Sequence, residues 1–465
     1  MSAHPIDFKI NPHVFSTPEL TRVFEEKAVF QRWLDFEAAL AIAQGELGII
    51  PVEAAEEITC KAKLECLDLA GIQEGYGKSR NSVMPLLAGL RRACVHGYGE
   101  FVHFGATTQD VLDTGEILAL RSVVAILYRD LRNLEEICLD LAGKHRETPM
   151  AARTHGQQAL PTTFGLKVTV WLGEIRRHVE RIKNLYLTIN CGQLGGAVAT
   201  MAALGPRAEQ VAEAALKRLG LVHDPASWHT SRDKIAELSS VFTMLVMTLS
   251  KIANEIFQLQ KTEIGELLES PPGGALASST MPHKQNPVIC QRVVALSRHV
   301  RALNSTVMES MGHEHERDPR CLWAEWLAIP ELCIYTGTCL QYMVGVLSGL
   351  TVRSDKMLEN LYRQKDMITS EWLTFQLSDT MGKMKALEKV HFLSEVTSKT
   401  GVSMKEAVLS DLETGHLFSS EELSLLEQPE RYSGHAVSIV DKVLRRIAEQ
   451  RKADPVTLSA MLKGA

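Results

Sequence analysis

The feature that most constrains the fold is a set of long segments in which apolar residues recur every three or four positions. In the clearest of them one apolar face is formed by Leu238, Val241, Phe242, Leu245, Leu249, Ile252, Ile256 and Leu259. This spacing predicts an amphipathic α-helix. Because the segment covers about eight turns, far more than an average helix, its apolar face requires other long helices to pack against.

Four further segments show the same pattern, and they span residues 114–144, 164–190, 287–311 and 323–350. Few stretches alternate apolar and polar residues as a strand would. Five long helices in succession predict an all-α fold built around a central helical bundle. The shorter patterns on either side predict an N-terminal helical domain over 1–110, a bundle domain over 111–351 and a small C-terminal helical domain over 352–465.

Bulk composition limits the classes of function. The net charge of -6 argues against nucleic acid as the main partner, so an anionic substrate would need a local basic site. The first residues lack a signal-peptide pattern, and no run of about 18 apolar residues predicts a membrane span. The nine scattered cysteines contain no C-x-x-C pair, and they are expected to be reduced thiols in a cytoplasmic protein.

Residues capable of chemistry lie in the polar breaks between the long segments. The first break contains Thr107, Thr108 and Gln109. Hydroxyl, amide and backbone N–H groups at a helix N-terminus suit the binding of a carboxylate. The alternative is that this break only caps a helix, through Asp113 or Thr114.

Two other breaks contain a histidine and an arginine. An imidazole titrates near neutral pH, so His155 could act as a general acid. The alternative for His155 is a hydrogen-bonded structural role. The guanidinium of Arg232 could fork onto a substrate carboxylate. Its alternative is a salt bridge or helix cap at the start of the long helical segment over 239–268.

The break at 269–287 has the most unusual composition. It contains Gly273, Gly274, Ser278, Ser279, Lys284, Asn286 and Pro287. A serine such as Ser278 is a poor base unless its oxyanion is stabilised, and Lys284 and the N-terminal end of the following helix both favour the anion. Lys284 and Asn286 could also hold the charge formed when a proton leaves the carbon beside a carboxylate. The alternative makes Asn286 the N-cap and Pro287 the first helical residue.

Two other motifs do not predict cofactor sites. Gly192-x-x-Gly195-Gly196 does not follow a strand of a βαβ unit, so it is not a dinucleotide-binding fingerprint. The segment 313–316, His-Glu-His-Glu, has the wrong spacing to present metal ligands on one helical face. No metal is expected there.

Three segments together resemble the active-site motifs of the fumarase/aspartase superfamily. Residues 278–287 match its signature S-S-x-M-P-x-K-x-N-P, which is highly specific. Thr107-Thr108-Gln109-Asp110 and Thr154-His155 are similar to its two other active-site segments. The resemblance extends over essentially the whole chain.

The resemblance implies a three-domain, nearly all-helical subunit. Four subunits would form a homotetramer with a central twenty-helix bundle, and each active site would be assembled from three subunits. The implied reaction is a reversible β-elimination on a small anionic carboxylate. A base removes a proton beside a carboxylate, an aci-carboxylate forms, and a C–N or C–O bond breaks. No metal or organic cofactor is implied.

The resemblance also implies a role for individual residues. Ser278 would be the base, Lys284 and Asn286 would support the aci-carboxylate, and His155 would protonate or orient the leaving group. The expected substrate-binding residues are Thr107, Thr108, Gln109, Thr154, Gln193, Arg232, Ser279 and Met281. Of these, Gln193 and Arg232 are the weaker assignments.

Two branches of the superfamily resemble the chain. Segments 193–197, 228–233 and 323–326 are similar to 3-carboxy-cis,cis-muconate cycloisomerases, whereas 153–157 and 161–165 are shared with adenylosuccinate lyases. The last of the cycloisomerase-like segments, Trp-Ala-Glu-Trp, places tryptophans where adenylosuccinate lyases have residues that hold the AMP phosphate. The expected function is therefore a cycloisomerase-like lyase. The alternatives are an adenylosuccinate-type C–N lyase that releases fumarate and an inactive structural homologue.

Overall fold

A computed structural model describes residues 4–79, 81–270, 281 and 283–463. Within these residues the chain is predominantly helical, which confirms the all-α class. In chain order the helices are α1 (Pro18–Phe24), α2 (Glu26–Glu46), α3 (Val52–Lys61), α4 (Leu69–Ser79), α5 (Met84–Ala93), α6 (Thr108–Lys144), α7 (Phe164–Thr188), α8 (Ala208–Arg218), α9 (Asp233–Gln260), α10 (Val288–Glu309), α11 (Pro319–Ser348), α12 (Ser354–Leu361), α13 (Ser370–Met381), α14 (Lys383–Thr400), α15 (Met404–Ser410), α16 (Ser424–Glu427) and α17 (Ala436–Lys452).

Short strands connect some of these helices. An antiparallel hairpin is formed by β1 (Pro149–Thr154) and β2 (Gln157–Thr163). The two-residue strands β3 (Cys191–Gly192) and β4 (Val222–His223) pair in parallel, and β5 (Leu267–Leu268) pairs antiparallel with β6 (Thr351–Val352). The hairpin lies in one of the polar breaks between the predicted helices. The sequence did not predict it, because its strands do not show the strict alternation that identifies a strand in sequence.

The five long predicted segments correspond to α6, α7, α9, α10 and α11, which pack on one another as a bundle. Two boundaries differ from the prediction. Helix α6 begins at Thr108 rather than near residue 114, because Thr107 is its N-cap and Asp110 accepts a hydrogen bond from the Thr107 N–H at 3.0 Å. Helix α9 ends at Gln260 rather than near residue 268, since Lys261 leaves the helical region with ψ of 143°.

The apolar face of α9 lies in the bundle core. Its sequence is long and apolar enough to cross a membrane, but 61% of that apolar window is buried inside the structure. Phe242, Leu245 and Leu249 have no exposed surface. Helix α9 is therefore the central helix of a packed core, which explains its composition.

The bundle separates the polar breaks into two groups. Helix α6 has 37 residues and is about 55 Å long at 1.5 Å per residue. At its start, which we call the threonine end, Thr114 accepts a hydrogen bond from the Gln193 N–H at 2.9 Å. The hairpin follows the other end of α6, which we call the hairpin end. There Arg153 pairs with Glu266 in the segment after α9, with N–O distances of 3.0 and 2.5 Å.

The C-terminal segment returns to the bundle. Asp454 follows α17, and its side chain is only 1% exposed. It accepts hydrogen bonds from Arg176 at 2.7 and 3.0 Å and from Lys183 at 2.7 Å, and Arg132 also pairs with it. These contacts attach the end of the chain to α6 and α7. The predicted domain boundaries at 110 and 351 stay predictions.

Candidate active site

The start of α6 is held in place by the buried carboxylate of Asp110. Besides the Thr107 N–H, this carboxylate accepts hydrogen bonds from the backbone N–H groups of Gly195 at 2.9 Å and Gly196 at 3.0 Å. His229 Nε2 lies 2.9 Å from the same carboxylate. Asp110 therefore fixes three separate segments of the chain around the threonine end.

The loop before Thr107 is anchored to α2. His103 Nδ1 lies 2.7 Å from the buried Glu37 carboxylate, and the Gln44 amide donates to the Phe104 carbonyl at 2.6 Å. Burial lowers the pKa of His103, but the Glu37 and Asp110 carboxylates together outweigh burial, so the pKa is raised. The pair thus anchors the loop to α2.

The alternative interpretation of this break, helix capping by Asp113 or Thr114, is wrong. Both residues lie inside α6, where the Thr114 hydroxyl donates to the Gln193 carbonyl at 3.0 Å. Gln109 is also buried, and its amide donates to Asp113 at 3.1 Å and to the His229 carbonyl at 2.8 Å. In this subunit Gln109 holds the neighbouring segment against α6, and its predicted contact with substrate stays a prediction.

Gln193 and Arg232 are both engaged within the subunit. The Gln193 side chain donates to Ser227 at 2.9 Å and accepts from the Trp228 N–H at 3.0 Å. Arg232 is 1% exposed, and its guanidinium pairs with Glu325 at 2.6 Å and lies over the Trp228 ring. The ion-pair alternative for Arg232 is what the structure shows, while substrate contacts of either residue stay predictions.

Three carboxylates surround the single guanidinium of Arg232. Asp113 lies 3.1 Å from it, Glu325 lies 2.6 Å away and Glu116 lies 3.8 Å away. Burial raises the pKa of Asp113 to about 6. Burial and the neighbouring Glu325 carboxylate raise the pKa of Glu116 to about 8. Charge balance therefore favours a protonated Glu116 at neutral pH.

This protonation predicts a pH-dependent stability. Because the folded protein binds the Glu116 proton more tightly than the unfolded chain, the contribution of Glu116 to stability is greatest below pH 4.5 and decreases as the pH rises towards about 8. Glu116→Gln removes the titration. We expect the variant to have a higher Tm than the wild type at about pH 8 and a similar Tm at about pH 4. Equal Tm values at both pH values would refute this assignment.

Arg317 is a residue at the threonine end that the motifs did not identify. Its guanidinium donates to the Thr107 hydroxyl at 3.2 Å and to the Ala197 carbonyl at 2.9 Å. Within the described part of the chain, no carboxylate pairs with it. An unpaired guanidinium beside a helix N-terminus is suited to bind a carboxylate. The charged segment Glu316-Arg317-Asp318 was the only indication in the sequence. Because it lies far from Thr107 along the chain, the sequence did not predict their contact.

At the hairpin end, Thr154 and His155 lie exposed at the tip of the hairpin. The connecting turn consists of His155 and Gly156, whose φ angles are 53° and 76°. Two consecutive positive φ angles are those of the type I′ turn, which suits a two-residue hairpin. The ion pair of Arg153 with Glu266 fixes the base of this tip. The structure therefore presents His155 outward on a rigid support.

Lys284 and Asn286 line an open cleft at the hairpin end, with a volume of about 690 Å³. Lys284 is exposed, and so is Met281, at 42% of its surface. Ser278 and Ser279 lie outside the described residues. Gly156 and Gln157, which follow His155, line a second cleft, and none of its lining residues is shared with the Lys284 cleft.

The alternative interpretation of the 269–287 break, in which Asn286 is the N-cap of α10 and Pro287 its first residue, is wrong. The helix begins at Val288, with Pro287 at the N-cap position. The buried carboxylate of Glu269 accepts from the N–H groups of Ile289 and Cys290, both at 2.8 Å. Since a carboxylate already occupies these donors, this helix end is not available to stabilise a serine oxyanion.

One subunit does not unite all the predicted site residues. Thr107, Thr108 and Arg317 lie at the threonine end, whereas His155 and Lys284 lie at the hairpin end, separated by the length of α6. Among the described residues no group of three or more His, Cys, Asp or Glu side chains is placed to hold a metal ion. Among the described residues, the two groups of predicted site residues therefore lie apart within one subunit.

Comparison with known proteins identifies the family. Residues 14–302 match the sequence profile of a family described as lyase. The chain is 37% identical to N-acetyl-S-(2-succino)cysteine lyase of Dickeya dadantii, over 96% of this chain and 98% of the relative. It is 34% identical to adenylosuccinate lyase of Methanocaldococcus jannaschii, over 97% of each protein. The structure of the chain is also similar to the crystal structure of the 3-carboxy-cis,cis-muconate lactonizing enzyme of Pseudomonas putida, with a TM-score of 0.86. The two sequences are 31% identical, and the match covers 93% of this chain and 97% of the Pseudomonas enzyme. The chain is therefore a lyase of the fumarase/aspartase superfamily.

Proposed function

We propose that this enzyme catalyses a reversible β-elimination, or the reverse addition, on a small polycarboxylate. In this mechanism Ser278 removes the proton beside a carboxylate, and Lys284 and Asn286 stabilise the aci-carboxylate that forms. His155 protonates or orients the leaving group. Thr107, Thr108 and Arg317 hold a second carboxylate of the substrate. The observation that carries the proposal is the presence of Lys284 beside Asn286 in an open basic cleft.

The relatives support a proposal for the bond that is broken. The names of two of them describe a succinate joined through sulfur or nitrogen to a second group, so we propose a 2-substituted succinate as substrate, with fumarate as product. The exposed Trp323 and Trp326, at 55% and 44%, offer indole rings rather than cations to a nucleotide phosphate. They favour a small leaving group over AMP. A cycloisomerase activity is the second candidate, because segment 323–326 resembles that branch.

We also propose that the enzyme is a cytoplasmic homotetramer with shared active sites. The separation of the threonine end from the hairpin end within one subunit supports this assembly. If two copies pack with their bundles antiparallel, the threonine end of one lies beside the hairpin end of the other. Each site would then contain the carboxylate-binding groups of one copy and Lys284 or His155 of another.

A substrate panel tests the reaction class. The purified enzyme is supplied with N-acetyl-S-(2-succino)cysteine, adenylosuccinate and 3-carboxymuconate, and the release of fumarate or the formation of lactone is followed. We expect fumarate from the thioether at a higher kcat/KM than from adenylosuccinate. Preferred turnover of adenylosuccinate would contradict the small leaving group. No turnover of any of the three would contradict the proposed reaction.

Arg317→Met is expected to weaken substrate binding. Because the guanidinium would form charge-assisted hydrogen bonds with a substrate carboxylate, kcat/KM should decrease about 10- to 100-fold, mainly through KM. Steady-state kinetics with the best substrate of the panel measures this. Arg218→Met, which removes an arginine from the surface of α8, is the matched control. An unchanged KM in Arg317→Met would remove Arg317 from the site.

A further inference from the structure

The Lys284 cleft contains two more cations than the proposed reaction uses. Lys261 follows the end of α9, and Arg353 follows β6, yet both line the same cleft as Lys284 and Asn286. These side chains come from three separate parts of the chain. Their convergence is a property of the fold and was not visible in the motifs.

The cleft has an excess of positive charge. In the described residues no carboxylate pairs with Lys261 or Lys284, and the carboxylate paired with Arg353 is the exposed Asp355 at 3.8 Å. The two buried acids nearby are already engaged, Glu269 by the start of α10 and Glu266 by Arg153. By sequence, residues 270–291 contain no Asp or Glu.

The backbone that carries these cations is held by side chains and strand pairing. The Arg353 N–H donates to the Glu266 carbonyl at 2.9 Å, next to the β5–β6 pair. The Gln260 side chain accepts from the Glu269 N–H at 2.8 Å and donates to the Gln285 carbonyl at 3.0 Å. Gln260 therefore connects the end of α9, which precedes Lys261, to the segment that contains Lys284. The backbone positions from which the cations extend are therefore held by contacts within the subunit.

The proposed reaction uses one lysine and one amide to hold a single aci-carboxylate, which leaves the additional cations available for another anion. We infer that Lys261 and Arg353 bind an anionic group of the substrate that lies away from the reacting carbon, a carboxylate or a phosphate. This inference rests on the proposed function, because it assigns the substrate to that cleft. It specifies the substrate class further, as a succinyl compound whose leaving group carries its own negative charge. Positive groups in a cleft also attract an anion at longer range.

Calorimetric titration of the intact enzyme tests the inference without requiring turnover. The probes are succinate, which has two carboxylates, tricarballylate, which has three, and AMP, which supplies a phosphate. Lys261→Gln and Arg353→Gln are each compared with the wild type and with Lys399→Gln, a control for an exposed lysine of α14. We expect each cleft variant to lose about 10- to 100-fold in affinity for tricarballylate or AMP, with a much smaller change for succinate.

The pattern of losses identifies the bound group. A loss confined to tricarballylate assigns a carboxylate to the cleft, and a loss confined to AMP assigns a phosphate. Unchanged affinity for both probes in both variants overturns the inference. Lys261 is exposed and Arg353 is partly exposed, so both variants should have Tm values close to that of the wild type. The Tm measurement therefore separates a binding defect from misfolding. Absence of turnover with every substrate would instead contradict the proposed function, whatever these titrations show.

Discussion

Replacing Ser278 with Ala is expected to reduce kcat by roughly 10²- to 10⁴-fold, the contribution of a positioned general base. The alanine variant retains the cations and the carboxylate-binding groups, so substrate still binds. It lacks the oxygen that accepts the proton. Because only the chemical step is affected, KM should change little. Steady-state kinetics with the best substrate of the panel measures both constants.

The control for this variant is Ser122→Ala, which removes an exposed serine hydroxyl from α6. It should have the activity of the wild type. Exchange of the substrate proton with deuterium in solvent provides a second measurement, since the Ser278 variant should lose exchange and elimination together. If Ser278→Ala retains wild-type turnover and exchange, another group is the base and the proposed mechanism is wrong.

Replacing Lys284 with Met is expected to reduce kcat on the order of 100-fold or more, because a preorganised cation beside the developing aci-carboxylate is lost. The structure strengthens this expectation. Glu269 already occupies the start of α10, so the helix cannot compensate for the missing charge. Lys284→Arg should retain more activity than Lys284→Met, since it keeps the charge but changes its geometry.

Lys399→Met is the matched control for the loss of an exposed lysine, and it should not affect turnover. The Tm of Lys284→Met should be close to that of the wild type, because Lys284 is exposed. A small effect of Lys284→Met on kcat, together with a large effect of Lys261→Met, would contradict this assignment. It would show that Lys261, and not Lys284, stabilises the aci-carboxylate.

The helices of the bundle could be predicted from sequence because each has its own apolar stripe. Helices α7, α10 and α11 begin and end within a few residues of the predicted limits. The boundary errors have local causes that periodicity does not report. Helix α6 starts early because of the cap at Thr107, and α9 stops early because Lys261 turns the chain.

The candidate site was less predictable because its parts meet through tertiary contacts. The motifs identified Lys284 and His155, but they could not show that Glu269 caps α10 in place of Asn286. They also could not show that Arg317 meets Thr107, because that contact depends on how α6 and the segment before α11 pack. Contacts between residues far apart in sequence depend on packing geometry, and a single sequence does not contain that geometry.

We propose that a working site combines the threonine end of one copy with the hairpin end of another. The most direct test of this proposal mixes two inactive variants, Thr107→Ala/Thr108→Ala and Lys284→Met, unfolds them together and allows them to refold into mixed assemblies. If each site takes these groups from different subunits, random mixing should restore about a quarter of the wild-type activity. Each variant refolded alone should stay inactive. If the refolded mixture has no more activity than the separate variants, while its mass confirms mixed oligomers, the shared site is contradicted.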